Sequence, residues 1–291
     1  MRKWVFWFVI VVLLGYEAIQ QHSAIGKRMD TSPAEIEKSS YVATSSGKDS
    51  TTIKVTKDQI YQGDLVLING DFSVHPNGMQ TDIVNLYQHK ELVKGFGLLD
   101  NTIRLSQSVV QAFTTMISAA DKEGVRHFLI NSGYRDQKEQ SQLYKDMGSN
   151  YALPAGHSEH NLGLALDIGS TQAEMNRAPE GEWLIQNAAD YGFILRYPKD
   201  KTAITGIQYE PWHFRYVGLP HSVVMKQMNF SLEEYLAYLK QQGHISTKVK
   251  GKIYEISYYP NSKRSTIQIP SNRTYHISGD NMDGIIVTVL P

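Results

Sequence analysis

Five residues between two glycines constrain this chain more than any other stretch: Leu164-Ala165-Leu166-Asp167-Ile168. They read as a buried strand, apolar apart from one carboxylate. An unpaired carboxylate in such a strand is costly, so Asp167 must be paired or bound to a metal. Just upstream, Asn161-Leu162-Gly163 is turn-like, and Gly163 can take a positive φ or admit a close neighbour. His160 precedes that turn, so His160 and Asp167 can converge on one ion. Later in the chain Glu210-Pro211-Trp212-His213 offers a second imidazole and a spare carboxylate. Pro211 argues against a helix interior, which separates this motif from the helical H-E-x-x-H arrangement. Two imidazoles and one carboxylate leave the fourth position of a tetrahedral Zn²⁺ open for water. Glu210 is then free to serve as general base.

The chain has ten histidines, so a lone imidazole means little. His22, His75, His89, His221, His244 and His276 have no ligand context and read as surface or structural residues. His157 neighbours the motif and is placed outside the ligand set. Cysteine is absent, which excludes disulfides, thiolate metal sites, a Cys nucleophile and a lipoprotein anchor. Any metal must be held by His, Asp or Glu. The net charge is +0, and nothing points to nucleic acid.

The pattern Ser158-x-His160-x-x-Gly163-x-Ala165-x-Asp167, followed by Glu210-x-x-His213, resembles the zinc D-Ala-D-Ala carboxypeptidases and dipeptidases. That group includes the VanY and VanX enzymes of vancomycin resistance and the LAS peptidoglycan peptidases. Ser132-Gly133-Tyr134-Arg135 and the run Glu210 to Gly218 are similar to the VanY subgroup in particular. The resemblance runs from about Ile60 to the C-terminus. It implies an α+β fold, a LAS/Hedgehog-like zinc peptidase domain, with Zn²⁺ on His160, Asp167 and His213. It implies Glu210 as the general base and Arg135 as a cation that stabilises the oxyanion or holds substrate. Gln140 and Ser158 match positions that hydrogen-bond the terminal dipeptide. Trp212 either walls the site or packs inside, and Arg215 is expected to be structural. The implied substrate is a peptidoglycan precursor peptide ending in D-Ala-D-Ala. Losing that D-Ala removes the terminus that glycopeptide antibiotics bind. The alternative reading is a peptidoglycan endopeptidase on the same scaffold. A non-catalytic wall-binding protein would have no need of Glu210.

In chain order, Arg2-Lys3 and the apolar run Trp4 to Tyr16 form an export signal. The run falls short of a full span of about 20 residues. Residues 1–20 are read as a signal-anchor or signal peptide, and with no clear small-x-small cleavage site an uncleaved cell-membrane anchor is preferred, with the rest of the chain outside. Residues 21–57 are polar and read as a flexible tether. Residues 58–243 form the zinc peptidase domain. Within it, strands are expected at Leu65–Asn69, His127–Asn131 and 192–196. Helices are expected at 105–120, 136–147, 182–191 and 231–241, the last opened by a capping box. Residues 71–100 look irregular. Residues 244–291 alternate or are β-branched between turns and read as a small β appendage. A monomer is expected.

Overall fold

The computed structural model describes residues 36–37, 50–148, 152–260 and 266–291. The expected anchor, residues 1–20, lies outside the described residues. Among those described, no helix is long and apolar enough to cross a membrane.

Two strands come first, β1 (Ile36–Glu37) and β2 (Ser50–Lys54). Both lie inside the stretch whose composition suggests a tether. The reason is tertiary: each finds its ladder partner near the other end of the chain. The run Leu65 to Ile68 is fully buried, as its apolarity demands, yet it is not a strand. Its backbone groups are satisfied singly instead. Leu65 N donates to Ser278 Oγ at 2.8 Å, Leu67 N to Asp280 O at 3.3 Å, and Val66 O accepts from Arg215 at 2.9 Å.

The segment 71–100 holds short 3-10 turns and two small strands, β3 (Ile83–Asn85) and β4 (Gly97–Leu98). Next come β5 (Arg104–Ser106), paired with β3, and helix α1 (Gln107–Lys122). The Ser106 side chain caps α1 by accepting from Val109 N. One face of α1 buries Val109, Val110, Phe113, Met116, Ile117 and Ala120, the helical spacing seen in the sequence. After it come β6 (Phe128–Ser132), α2 (Gln137–Met147, opened by an Asp136/Glu139 capping box), β7 (Ala165–Ser170) and α3 (Pro179–Asn187). The last begins three residues before the expected Glu182, because proline suits a first helical turn. It stops at Asn187, and Ala188–Tyr191 tightens into a 3-10 turn. Then follow β8 (Phe193–Leu195), β9 (His213–Tyr216), α4 (His221–Met228) and α5 (Leu232–Gln242).

Five of these strands form one sheet in the order β4-β6-β7-β9-β8, antiparallel except for β4 against β6. Strand alternation sorts its residues. Leu166, Ile168 and Phe214 join α1, Phe128 and Ile130 in the main core. Asp167 and His213 point to the opposite face. Register then places Asp167 opposite His213 on one side and Ser132 on the other. The β6–β7 ladder is irregular between Ile130 and Ser132, next to that face.

The C-terminal strands are β10 (His244–Val249), β11 (Lys252–Pro260), β12 (Thr266–Pro270), β13 (Tyr275–Gly279) and β14 (Gly284–Val289). A second sheet runs β1-β10-β11-β14-β13, and β12 pairs with β2. Its core includes Tyr235, Leu236 and Leu239 of α5 with Ile245, Ile256 and Ile286. The β13–β14 turn is stitched to residues 60–73. Asn281, at φ +63°, donates from its side chain to Leu67 O and Ser73 O at 2.9 Å each, and from its backbone to Ile60 O at 2.8 Å.

Candidate metal centre

Ser158 opens a short 3-10 turn, Glu159–Asn161, and its hydroxyl accepts from His160 N at 3.4 Å. The turn is locked against the end of β6. Asn161 donates to Arg135 O at 2.7 Å, Arg135 N donates to His160 O at 3.1 Å, and Gly156 N donates to Asn161 Oδ1 at 3.0 Å. Two glycines let the backbones close in. Gly163 sits at φ +85°, and a side chain there would strike Ile83. A side chain on Gly133 would strike the Arg104 carbonyl.

The His160 ring is aimed by this packing. Its Nδ1–H donates to Gly133 O at 2.6 Å, which leaves Nε2 as the lone-pair nitrogen, 3.4 Å from Asp167 Oδ2. The His213 ring is aimed from the other side. Its Nε2 lies 3.3 Å from Glu159 Oε2, and its Nδ1 is 3.1 Å from Asp167 Oδ1 and 3.8 Å from Glu210 Oε2. Ligand atoms of His160, Asp167 and His213 all lie within 4.8 Å of one another. The two rings meet edge to face at 5.0 Å.

The electrostatics favour a bound cation. Burial alone would raise the Asp167 carboxyl, but the two imidazoles hold it far below the usual carboxylate range. Burial, reinforced by the Arg135 charge, lowers His160 and keeps it neutral, with its lone pair available. Burial would also lower His213, yet its hydrogen bonds to Asp167 and Glu159 push it up to about 9. Glu210 differs from these groups: it is partly open to solvent, and burial raises its carboxyl.

Arg135 is held in plane beside this face. Its Nε donates to Gln140 Oε1 at 3.0 Å and its Nη1 to Ser132 Oγ at 3.1 Å. Burial lowers its pKa, while Asp167 and Glu210 pull the other way. Gln140 is fully buried and spends its amide N–H on Leu153 O at 2.7 Å, so it orients Arg135 as well as lying near the site. Trp212 is 41% exposed at the surface beside the motif, not packed inside. His157 turns away and bonds Asn69 O through Nδ1 at 2.9 Å.

Three residues of the site have no assigned role in the sequence reading. Glu159 is fully buried, and besides His213 it accepts from Arg196 Nε at 2.8 Å and Arg215 Nη1 at 2.9 Å. Arg196 also pairs with Glu233 at 2.6 and 3.0 Å. Opposing charges hold the Glu159 carboxyl far below its usual range despite burial. Tyr197, buried, packs its ring 4.8 Å from His213 under the Arg196 guanidinium. The signal for Arg196 was available. A guanidinium at the end of an apolar strand needs a buried partner, by the same reasoning that singled out Asp167. A carboxylate behind a ligand histidine fixes its tautomer and ring direction.

A family model described as D-alanyl-D-alanine carboxypeptidase, VanY, matches residues 102–219. A D-alanyl-D-alanine carboxypeptidase of Enterococcus faecium is 51% identical over 294 residues, 100% of this chain and 97% of its own length. The bifunctional D-Ala-D-Ala dipeptidase and D-Ala-D-Ala carboxypeptidase VanXYC of Enterococcus gallinarum is 41% identical over 159 residues, 49% of this chain and 82% of its own. The crystal structure of the vancomycin resistance D,D-dipeptidase VanXYg, in complex with a D-Ala-D-Ala phosphinate analogue, aligns with a TM-score of 0.72 at 31% identity. It covers 83% of this chain and 99% of that one. Similarity of this extent, along nearly the whole of a carboxypeptidase sequence, means that the chain belongs to the VanY family of D-alanyl-D-alanine carboxypeptidases.

Proposed function

We propose that this chain removes the terminal D-Ala from peptidoglycan precursor stem peptides ending in D-Ala-D-Ala, and that His160, Asp167 and His213 hold the metal for that reaction. The observation that carries the reading is the convergence of those three donors with Glu210 at their edge. The enzyme is a metallocarboxypeptidase, and Zn²⁺ is the cofactor. Two imidazole nitrogens and one carboxylate oxygen, each imidazole oriented by an acceptor behind it, suit that ion. The catalytic domain works outside the cytoplasm, where such peptides meet the wall. Anchoring through residues 1–20, a tether before the catalytic domain and a monomeric state complete the proposal. An endopeptidase on the same scaffold is not favoured, since the relatives are carboxypeptidases and dipeptidases.

Zn²⁺ in this donor set supplies a Lewis acid that polarises a carbonyl and acidifies water. Glu210, its carboxyl raised by burial, takes the proton of the attacking water and delivers it to the amine of the departing D-Ala. The peptide C–N bond breaks, and the water oxygen stays on the carbonyl carbon. Arg135, fixed by Gln140 and Ser132, faces the carbonyl oxygen on which negative charge develops. Ser158 and Gln140 border the place of the substrate's terminal dipeptide. Glu159 holds His213 in the tautomer that turns Nδ1 inward.

Amino-acid release from a stem pentapeptide ending in D-Ala-D-Ala tests the reading. Stoichiometric free D-Ala that disappears with chelator and returns with Zn²⁺ is expected. Release of larger fragments only, from cross-linked wall, would replace it with the endopeptidase.

A further inference from the structure

Away from the metal centre, a cavity of about 550 Å³ opens where the end of β9 meets the C-terminal sheet. Its walls include Tyr191, Tyr216, Tyr254, Tyr275 and His276, and Asp64 lies among them. A volume of this size suits a small organic ligand.

The Asp64 side chain makes no hydrogen bond or ion pair with any described residue. The charges of Arg215 and His276 act on it, but the Arg215 guanidinium spends its hydrogen bonds elsewhere. Nη1 donates to Glu159, Nη2 to the backbone carbonyls of Asp64 and Val66, and Nε to Tyr216 O. The carboxylate looks across the cavity wall at Gly218 and the Tyr216 hydroxyl. A methyl group built on Gly218 would sit 3.6 Å from Asp64 Oδ2 and 3.8 Å from that hydroxyl. Burial raises the Asp64 carboxyl, while the Arg215 and His276 charges pull the other way. Lys250 Nζ lies 5.0 Å over the ring of the lining residue Tyr191 while donating to Asp190 O at 3.0 Å. The tyrosine face there accepts an ammonium.

A carboxylate with no hydrogen-bonded cation, in a cavity whose lining includes four tyrosines, has one complementary ligand chemistry. The carboxylate supplies a charge-assisted hydrogen bond, and the rings supply cation–π attraction. We propose that this cavity binds an organic ammonium group on an aliphatic stem, of the kind a lysine side chain presents, with Asp64 as its counter-ion. The site is separate from the metal centre and stands whether or not the peptidase assignment does.

Isothermal titration of the full zinc-loaded chain with Nα-acetyl-L-lysine methylamide tests it, with the norleucine compound as neutral isostere. Saturable binding of the lysine compound is expected. It should weaken at least about tenfold for the isostere and for Asp64→Asn, the effect of losing a charged hydrogen bond. Asp64→Asn should keep its melting temperature and its zinc content. Tyr275→Leu, at another lining residue, should also weaken binding. Equal affinity for the isostere, equal affinity in both variants, or no saturable heat from the lysine compound overturns the proposal. So does Asp64-dependent binding of an N-acetylglucosamine disaccharide in its place.

Discussion

In the sheet β4-β6-β7-β9-β8, ionisable side chains alternate with core residues along β7 and β9: Asp167 between Leu166 and Ile168, and His213 and Arg215 on either side of Phe214. In the sheet β1-β10-β11-β14-β13, strand β14 is buried over its whole length, and Thr288 is its one polar side chain. Even Thr288 has a modest task, meeting His221 Nε2 at 3.0 Å. The first sheet breaks the burial rule repeatedly and provides each exception with a partner. Strand β14 of the second keeps the rule apart from Thr288. Buried polar groups that a fold maintains by pairing mark where chemistry is done, whereas a strand that obeys its pattern is doing structural duty.

The sharpest test of that contrast is Glu210→Ala. Turnover should fall by about 10²–10⁴. Zinc content and melting temperature should stay near those of the parent, because Glu210 is partly exposed and its carboxylate reaches the interior only through the 3.8 Å approach to His213. Near-normal D-Ala release would remove Glu210 from the reaction. Glu159→Ala probes the opposite kind of carboxylate. It leaves Arg215 without a carboxylate partner and Arg196 with Glu233 alone, so stability should drop by about 3–5 kcal/mol in denaturant titration. Zinc affinity should weaken roughly 10–100-fold through the freed His213 ring. An unchanged denaturation midpoint would show that the buried cluster is not the clamp described. In the second sheet, Ile286→Ala should cost about 2–5 kcal/mol by leaving a cavity. The rate per folded, zinc-loaded molecule should not change. A changed rate would break the division between the sheets. The smallest effect is expected from Asn281→Ala, about 1–3 kcal/mol for the unpaired carbonyls of Leu67 and Ser73.

How legible each region is follows from the range of its interactions. His160 and Asp167 sit within one short motif, and Glu210 and His213 within another, so local spacing exposes them. The helical face of α1 and the alternation of β11 and β14 are equally local. Glu159 is different. It lies inside the motif, but its meaning depends on Arg196 and Arg215, 37 and 56 positions away. The run Leu65 to Ile68 declares its burial but not its form. Whether an apolar run joins a ladder depends on what lies beside it, and here side chains and a turn take its backbone groups. Ser50 to Lys54 reads as tether because four of its five residues are polar. It is a strand because Thr266–Pro270 lies alongside.

That last pairing has a consequence for the order in which the molecule can be made. Ser50 Oγ meets Gln268 Oε1 across 218 positions of chain, and β1 waits for β10. A chain emerging N-terminus first carries these early strands unpaired until residues 244–270 arrive. Contacts so distant in sequence form slowly. Residues 266–291 therefore act as a closing latch, and a chain interrupted before them would leave β2 and the run Leu65 to Ile68 without the partners that complete them.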